Sequence, residues 1–397
     1  MQKKNKLLTA KRALAVLLLV IFLLPEAAVF ADDGKVVNVL CYHRFKKRKI
    51  TDKIKKKWGD IYYLNPAMFE EHIKFIKKNY SIISMNKYLM YLDGQASIPD
   101  RSVVITIDDG YKSVYTKAFP ILKKYEVPAI VYLYQDFIPG GRNALTFDEV
   151  KEMMREGIEF GCHSKSHPIL TSKWKNRNNR RKKRKMDDAE YVKMLEKEII
   201  GSKIYLEDNL RVPMSTFAYP YGTYSKEVHH FIKKAGYKAA FSVVASYNTR
   251  DTYRYALKRT MIYNSTSIEK LKKILEKKPI KVTDIYPADG DVIEDRTPEL
   301  KAVIAADSHL NTATIKFKMG RVVIKDSQYN PTTGQVTHYY KKKISSGTHT
   351  ARVVAKGLDG TDYEYAWLFI IGKPTKMTLL AGEKNGISDE VKQEAGQ

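Results

Sequence analysis

The residues with the clearest chemical potential are two adjacent carboxylates, Asp108 and Asp109, which follow the apolar run SVVITI at positions 102–107. Residues of this β-branched kind suit a strand buried on both faces, and Gly110 lets the chain turn directly after the aspartates. Because side chains alternate along a strand, the two carboxylates should point in different directions. That arrangement suits two tasks, such as one metal ligand and one general base. Asp-Asp-Gly is also ordinary turn chemistry, so this stretch alone favours a solvated turn.

A second candidate group is the histidine pair His163 and His167, which lie four residues apart in GCHSKSH. They follow a predicted strand, and on one helical turn or tight loop they could face the same point. With a carboxylate from another strand end they would make a three-ligand metal site that leaves a position for water. The third candidate is FAYPYG at positions 217–222. Backbone N–H groups after that strand could face a ligand, and a simple tight turn is the alternative.

Strands and helices alternate through most of the chain and must position these groups. Helix starts are indicated by Asn65 before Pro66, and by a capping box formed by Thr146 and Glu149. The alternation predicts a mostly parallel sheet or a barrel, whose strands carry reactive groups at their carboxyl ends. After Ile280 the apolar residues alternate with period two, which predicts an antiparallel sandwich of short strands.

The ends and composition of the chain predict an exported protein. Positions 3–12 carry five basic residues, positions 13–24 are apolar, and VFA at 29–31 offers a cleavage site, so residues 1–31 read as a signal peptide. The formal net charge of +26 favours polyanionic surroundings. Export makes nucleic acid a poor partner and anionic cell-wall polymers or a membrane surface better ones. The two cysteines, Cys41 and Cys162, are expected to be small core residues rather than a disulfide.

The three candidate stretches, in this order, resemble the motifs of the polysaccharide deacetylase family, which is the NodB-homology group or carbohydrate esterase family four. The matching sequences are TIDDG at 106–110, HSKSH at 163–167 and YPYG at 219–222. The resemblance covers residues 36–270 and includes the strand end VLCYH at 39–43. It implies an α/β fold, a distorted (β/α) barrel, and a hydrolase that removes N-acetyl groups from amino sugars.

The same resemblance implies roles for individual residues. Asp108 would be the general base on a metal-bound water, and the backbone N–H of Tyr221 would stabilise the oxyanion. The implied ligands of a divalent metal, usually zinc, are Asp109, His163 and His167. The implied oxyanion and substrate loop comprises Tyr219, Pro220 and Tyr221. Ser164 is expected to orient its loop rather than to react.

Two departures from the family pattern concern the partners of Asp108. Many family members have arginine where this chain has Ala218, and we hypothesise that Arg259 braces the base instead. The usual late Leu-x-His, which supplies the general acid, is absent. His43 ends a predicted strand and is our candidate for the proton donor, although a packing role is nearly as well supported. Histidines expected at the surface are His72, His229 and His230 in the barrel and His309, His338 and His349 after it.

The predicted organisation is a signal peptide at 1–31, a deacetylase barrel at 36–270, a helix end and linker at 271–283, an all-β sandwich at 284–373 and a flexible tail at 374–397. The sandwich resembles bacterial immunoglobulin-like domains and is expected to be a spacer or adhesion module. The stretch from Lys173 to Lys185 holds nine basic residues in thirteen. It could grip an anionic polymer or membrane, and a solvated loop is the simpler interpretation.

The sequence therefore predicts a secreted or periplasmic, metal-dependent deacetylase of polysaccharides that contain N-acetylglucosamine. Peptidoglycan, poly-N-acetylglucosamine and chitin-like chains are the candidate substrates. A second hypothesis is a cell-envelope protein whose degenerate barrel binds carbohydrate without turnover. A third is an iron oxygenase with two histidines and one carboxylate, which the order of the ligands disfavours.

Overall fold

The computed structural model describes residues 34–47, 60–175 and 184–375. The predicted signal peptide and nearly all of the predicted tail lie outside the described residues. So do positions 176–183 of the basic stretch, whose two flanks pair as short antiparallel strands.

The first unit is built around a parallel sheet. Its strands, with the short pairs that accompany it, are β1 (Val37–Tyr42), β2 (Arg44–Phe45), β3 (Tyr63–Leu64), β4 (Ser81–Ile82), β5 (Ser102–Ile107), β6 (Ile130–Leu133), β7 (Glu159–Cys162), β8 (Trp174–Lys175), β9 (Arg184–Lys185), β10 (Thr216–Ala218), β11 (Ala239–Phe241) and β12 (Thr260–Met261). The order across the sheet is β11-β10-β7-β6-β5-β1-β12, and β4 pairs with β5. Every pair in this sheet is parallel.

Helices accompany this sheet, and most of them pack on its outer face. They are α1 (Pro66–Asn79), α2 (Met85–Leu92), α3 (Phe119–Lys124), α4 (Phe147–Arg155), α5 (Asp188–Leu195), α6 (Ser202–Leu210), α7 (Lys226–Lys234) and α8 (Ile268–Leu275). The predicted helix starts are confirmed: the Asn65 side chain caps α1, and Thr146 and Glu149 form both bonds of the capping box of α4. A π-helical stretch, Glu196–Gly201, joins α5 to α6.

The sheet curls until one segment, residues 254–261, bridges its two edges. Leu257 of this closing segment exchanges backbone hydrogen bonds with Ala240 and Ser242 beside β11, and Thr260 pairs with Leu40 of β1. Apolar side chains of alternate strand positions fill the inside of the curl, and the opposite positions pack under the helices. The predicted α/β unit with a mostly parallel sheet is confirmed; the sheet is a curled half-barrel, and the carboxyl ends of its strands converge on one rim.

A β-rich unit follows. Its strands are β13 (Lys278–Pro279), β14 (Val282–Tyr286), β15 (Val292–Ile293), β16 (Glu299–Ile304), β17 (Leu310–Met319), β18 (Val322–Val323), β19 (Gln328–Asn330), β20 (Gln335–Tyr339), β21 (Gly347–Gly357) and β22 (Asp362–Ile371). They form two sheets, β13-β22-β21-β17-β18 and β14-β16-β20-β19, which enclose a common apolar core. The main ladders are antiparallel as predicted, whereas β13 and β15 pair with β22 in parallel.

The β-rich unit packs directly against the barrel. Ala366, Leu368 and Ile370 of β22 belong to the same buried apolar cluster as the outer face of the barrel sheet. The hydroxyl of Tyr247 donates to the carbonyl of Glu364 and accepts from the amide of Ile280. The segment predicted as a linker, 271–283, contains the end of α8 and strand β13. The two units are therefore packed together through an ordered interface rather than connected by an extended linker.

Three histidines expected at the surface are buried: His72, His229 and His338. His72 lies on α1 on the same face as Phe69 and Ile73, and its Nε2 donates to the carbonyl of Thr266 at 3.0 Å. Burial lowers the pKa of His72 to about 4, so the imidazole is neutral and needs only this one acceptor. The surface expectation was wrong because helical position, not polarity, decides which residues face the core.

Cys41 and Cys162 are buried free thiols, as predicted. Among the described residues, no helix has the length and apolar character needed to cross a bilayer.

Candidate functional site

The predicted site residues meet at the ends of four strands of the parallel sheet. His43 follows β1, Asp108 and Asp109 follow β5, His163 follows β7, and the loop at Tyr219 follows β10. These strands are parallel, so their carboxyl ends lie along one rim, the usual location of a reactive site in such sheets. The structure brings together groups that are more than a hundred residues apart in the chain.

Asp108 is held by a bidentate ion pair inside the barrel. Nη1 and Nη2 of Arg259 donate to its two carboxylate oxygens at 2.7 and 2.8 Å, and both residues are almost completely buried. Nε of Arg259 donates to the carbonyl of Ser242, and Nη1 also donates to the hydroxyl of Thr106. Burial alone would raise the pKa of Asp108, but the guanidinium outweighs burial and holds it well below its ordinary value. Asp108 is therefore an ionised, oriented carboxylate.

A thiol also contacts this carboxylate. Sγ of Cys41 lies 3.3 Å from Oδ2 of Asp108, at hydrogen-bonding distance. Burial is the main reason that the pKa of Cys41 is raised well above its ordinary value, so the thiol keeps its proton and acts as a donor. Sequence reasoning placed Cys41 in the core but missed this contact, because it depends on the pairing of β1 with β5.

Asp109, His163 and His167 face one another beside Asp108. Their ligand atoms lie within 4.8 Å of one another, with Oδ1 of Asp109 at 3.6 Å from Nε2 of His163 and 3.4 Å from Nε2 of His167. Nδ1 of His163 is 2.6 Å from the carbonyl of Ala218. A carbonyl only accepts, so Nδ1 carries the proton and the lone pair of Nε2 points toward Asp109.

This donor set fits a divalent cation. Burial lowers the pKa of His163 to about 3 and also lowers the pKa of His167, so both imidazoles are neutral and have a lone pair to offer. One carboxylate and two neutral imidazoles are ligands typical of Zn²⁺ at catalytic sites. Burial raises the pKa of Asp109 above its ordinary value, a shift that a bound cation would oppose.

The backbone of the site is held in an unusual conformation. Positive φ angles occur at Asp109 (79°), Ser164 (71°), His167 (58°) and Tyr221 (57°), which are four of the seven such non-glycine residues in the described parts of the chain. Strained backbone of this kind concentrates at functional sites, where the surrounding structure stabilises it. The hydroxyl of Ser164 accepts from the amide of His167 at 3.0 Å, so Ser164 orients the histidine loop.

A buried glutamate, Glu198, anchors the loop that carries His163 and His167. Its carboxylate accepts from the amides of Lys165 and Ser166 at 3.0 and 2.8 Å and from the Ser166 hydroxyl. Sequence reasoning missed Glu198, because it lies on a distant helix and its partners are mainly backbone groups, which leave no motif.

The three residues of the predicted oxyanion loop occupy different places. Tyr221 is 60% exposed, and its ring packs edge-on against His167 with the ring centres 4.8 Å apart. Tyr219 is fully buried, with its hydroxyl donating to the carbonyl of Tyr255, and Pro220 is buried as well. Tyr221 therefore lines the mouth of the site, whereas the side chains of Tyr219 and Pro220 support the loop from within.

His43 lies on the opposite side of the site from the histidine loop. Its Nδ1 is 4.0 Å from Sγ of Cys41, and its ring packs against Tyr62 with the ring centres 5.1 Å apart. Burial lowers the pKa of His43, against the opposing effect of Asp109 and Asp108, so the imidazole is neutral in the resting protein. A role as proton donor requires that it first gain a proton.

Comparisons with known proteins agree with this geometry. The profile of the family described as polysaccharide deacetylase matches residues 95–240. A poly-β-1,6-N-acetyl-D-glucosamine N-deacetylase of Staphylococcus aureus is 30% identical over 249 residues, which make up 60% of this chain and 82% of the relative.

Two solved structures share the fold of the first unit. The deacetylase PplD of Streptococcus pyogenes, in complex with acetate, is 22% identical with a TM-score of 0.52, covering 61% of this chain and 99% of its own. A de-N-acetylase from Aggregatibacter actinomycetemcomitans is 19% identical with a TM-score of 0.53, covering 60% of this chain and 100% of its own. On the strength of the family profile and the Staphylococcus aureus relative, this chain belongs to the polysaccharide deacetylase family and is a hydrolase of the N-deacetylating kind.

Proposed function

We propose that this chain is a metal-dependent hydrolase that removes N-acetyl groups from a polysaccharide containing N-acetylglucosamine. The observation that carries the proposal is the juxtaposition of an ionised, Arg-braced carboxylate with a three-ligand cluster: Oδ2 of Asp108 lies 3.9 Å from Nε2 of His163. Asp109, His163 and His167 would hold the cation, which we propose to be zinc. When bound there, it would acidify a water molecule and polarise the acetyl carbonyl.

The remaining steps belong to residues of the chain. Asp108 accepts the proton of the attacking water, because it is ionised and fixed by Arg259. The backbone N–H of Tyr221 stabilises the negative charge that develops on the acetyl oxygen. His43, which is neutral at rest, takes up a proton from solvent and then delivers it to the leaving amine. The exposed ring of Tyr221 offers an apolar face to a sugar ring at the mouth of the site.

The substrate is proposed from the relatives. The Staphylococcus aureus relative is named for poly-β-1,6-N-acetyl-D-glucosamine, which supports testing this polymer first and peptidoglycan and chitin-like chains beside it. We further propose export by a signal peptide over residues 1–31, an immunoglobulin-like type for the β-rich unit, and contact of the stretch from Lys173 to Lys185 with an anionic polymer or membrane surface.

Acetate release from a panel of N-acetylated polymers tests the proposed function. We expect release from at least one polymer, its loss after treatment with a chelator, and its recovery when Zn²⁺ is added back, because the ligands bind metal reversibly. Release that persists at full rate in metal-free protein would contradict metal dependence. Binding of a polymer without any release would favour the carbohydrate-binding alternative.

His43→Ala is expected to lower kcat by at least about 10-fold while the metal content stays unchanged, because general acid catalysis typically contributes more than this. The measurement is acetate release together with metal analysis of the purified variant. His230→Ala, an exposed histidine on α7, is the control. Near wild-type turnover of the His43 variant with metal bound would remove His43 from the mechanism.

Glu198→Ala is expected to weaken metal binding about 10-fold, because residues that orient metal ligands commonly have effects of this size. The substitution leaves the amides of Lys165 and Ser166 without their acceptor and loosens the loop that carries both histidines. Competition with a chromophoric chelator measures the affinity. Glu156→Ala, which breaks an exposed ion pair with Lys123, serves as the matched control, and equal affinities for both variants would refute the anchoring role.

A further inference from the structure

Arg259 reaches Asp108 from the closing segment, which bridges the two edges of the curled sheet. Short pairings hold this segment on both sides: Leu257 beside β11, and Thr260 and Met261 beside β1. The Asn248 side chain adds two hydrogen bonds, to the amide and carbonyl of Lys258. The position of the Arg259 guanidinium therefore depends on how firmly residues 254–261 are held.

The side chain of the preceding residue, Lys258, points to the opposite side of the closing segment from Arg259, as alternation along extended backbone requires. Its ammonium group is 2.7 Å from Oδ2 of Asp289 and donates to the hydroxyl of Tyr224 at 3.1 Å. The Tyr224 hydroxyl in turn donates to Oδ1 of Asp289. Lys258 is 5% exposed and the side chain of Asp289 is 22% exposed, so the three groups form a partly buried polar cluster on the outside of the barrel.

Asp289 belongs to the β-rich unit, not to the barrel. The backbone amide of Leu368 on β22 donates to Oδ1 of Asp289 at 3.1 Å and fixes the carboxylate against the sheet. The same sheet contributes Leu368 to the apolar cluster of the barrel. The β-rich unit thus holds the outward side of the closing segment, whereas Asp108 holds the inward side.

We propose that Asp289 is a positioning residue for the deacetylation reaction: by binding Lys258 it fixes the closing segment and, through it, the guanidinium of Arg259 against Asp108. The inference rests on the proposed role of Asp108 as the base. The β-rich unit then helps to position the base rather than serving only as a spacer, and it acts through one partly buried ion pair at its interface with the barrel.

The surroundings explain why loss of this ion pair would displace the segment. Lys258 lines a cleft of about 960 Å³ between α7 and β22, which also contains Tyr253 and Lys233. Without a carboxylate partner, a buried ammonium group is costly, and the cleft offers it a route toward water. A movement of the Lys258 side chain pulls on the backbone that carries Arg259, and small displacements of catalytic groups have large effects on rate.

Asp289→Asn tests the proposal, with Asp291→Asn as its matched control. Asp291 lies two residues along the same turn and pairs with Lys226 on α7, which is outside the closing segment. On the polymer that the wild type deacetylates fastest, Asp289→Asn should lower kcat about 10-fold with little change in KM or metal content. The control should keep wild-type kcat. Tyr224→Phe, which removes one hydroxyl from the cluster, should also lower kcat, by a smaller factor than Asp289→Asn.

A double-mutant cycle separates positioning from general destabilisation. In an Arg259→Lys background the bidentate contact is already lost, so Asp289→Asn should change kcat by less than about twofold. An equal loss in both backgrounds, or an Asp289→Asn protein with wild-type kcat, would overturn the inference. If either of these results is obtained while Asp108→Asn is inactive in the same assay, the positioning role of Asp289 is wrong but the proposed role of Asp108 stands. If Asp108→Asn is fully active, the proposed mechanism itself fails.

Discussion

Asp108→Asn is expected to lower kcat for acetate release by about 100-fold to 10,000-fold, the range typical of general acid–base catalysis. The amide has the shape of the carboxylate but does not accept a proton at working pH. Arg259 would keep one hydrogen bond to the amide oxygen but lose its counter-charge, so the variant should fold with reduced stability. Asp109, His163 and His167 are unchanged, so the folded variant should bind metal.

The measurement pairs initial rates with the metal content of each purified protein. Asp109→Asn should lose both metal and activity, whereas Asp108→Asn should lose activity alone, because the two adjacent carboxylates have separate tasks. Asp136→Asn removes a half-exposed carboxylate that pairs with Lys165 at the surface, and it should behave as the wild type. Full activity of Asp108→Asn would exclude it as the base.

Local sequence patterns predicted the part of this site that depends on strand ends. A β-branched run, a turn glycine and two carboxylates were enough to place Asp108 and Asp109 at the end of a buried strand. Gly110 shows why the motif is strict: its φ is 74°, and a Cβ there would lie 2.7 Å from the side chain of Leu133. The family motifs then assigned partners that the pattern alone could not choose.

Contacts between distant elements could not be predicted in the same way. Arg259 was hypothesised as the brace of the base, but only the curl of the sheet shows that its guanidinium meets Asp108, 151 residues earlier. Glu198 binds mainly backbone amides, and Asp289 binds across two units, so neither leaves a local pattern. His72 is the opposite case: its spacing from Phe69 and Ile73 places it on the buried face of α1, and only its polar character suggested the surface.

Arg259→Met is expected to destabilise the fold by about 3–5 kcal/mol at pH 7, because breaking a buried ion pair leaves an uncompensated charge. Asp108 and Arg259 are almost fully buried, and water cannot replace the two hydrogen bonds that the guanidinium donates to the carboxylate of Asp108. Arg254→Met is the matched control. It removes a partly exposed arginine of the same closing segment, which pairs with Asp93 at 3.0 Å, and should cost about 1 kcal/mol or less.

The pH dependence of this loss distinguishes a broken ion pair from a packing defect. In the wild type the pKa of Asp108 lies below its ordinary value of about 3.9, so the stabilisation is present above that pH and is lost as the pH falls toward the lower pKa. Without Arg259, burial raises the pKa of Asp108 above its ordinary value. The variant should therefore lose stability as the pH rises from the ordinary pKa to the raised one. Urea unfolding of both metal-free proteins from pH 4 to pH 8 measures the difference: the contribution of Asp108 to stability should stay constant over this range in the wild type and should fall with rising pH in the variant.

The pH dependence of activity should reflect the same rise in the pKa of Asp108. Asp108 accepts a proton only when ionised, so the acid limb of kcat/KM in Arg259→Met should move to higher pH, in addition to the loss of rate from a poorly oriented base. A stability difference that stays constant across the pH range, together with an unmoved acid limb, would contradict the brace. The arginine that replaces the family's usual one at Ala218 would then be a packing residue, and the low pKa of Asp108 would need another cause.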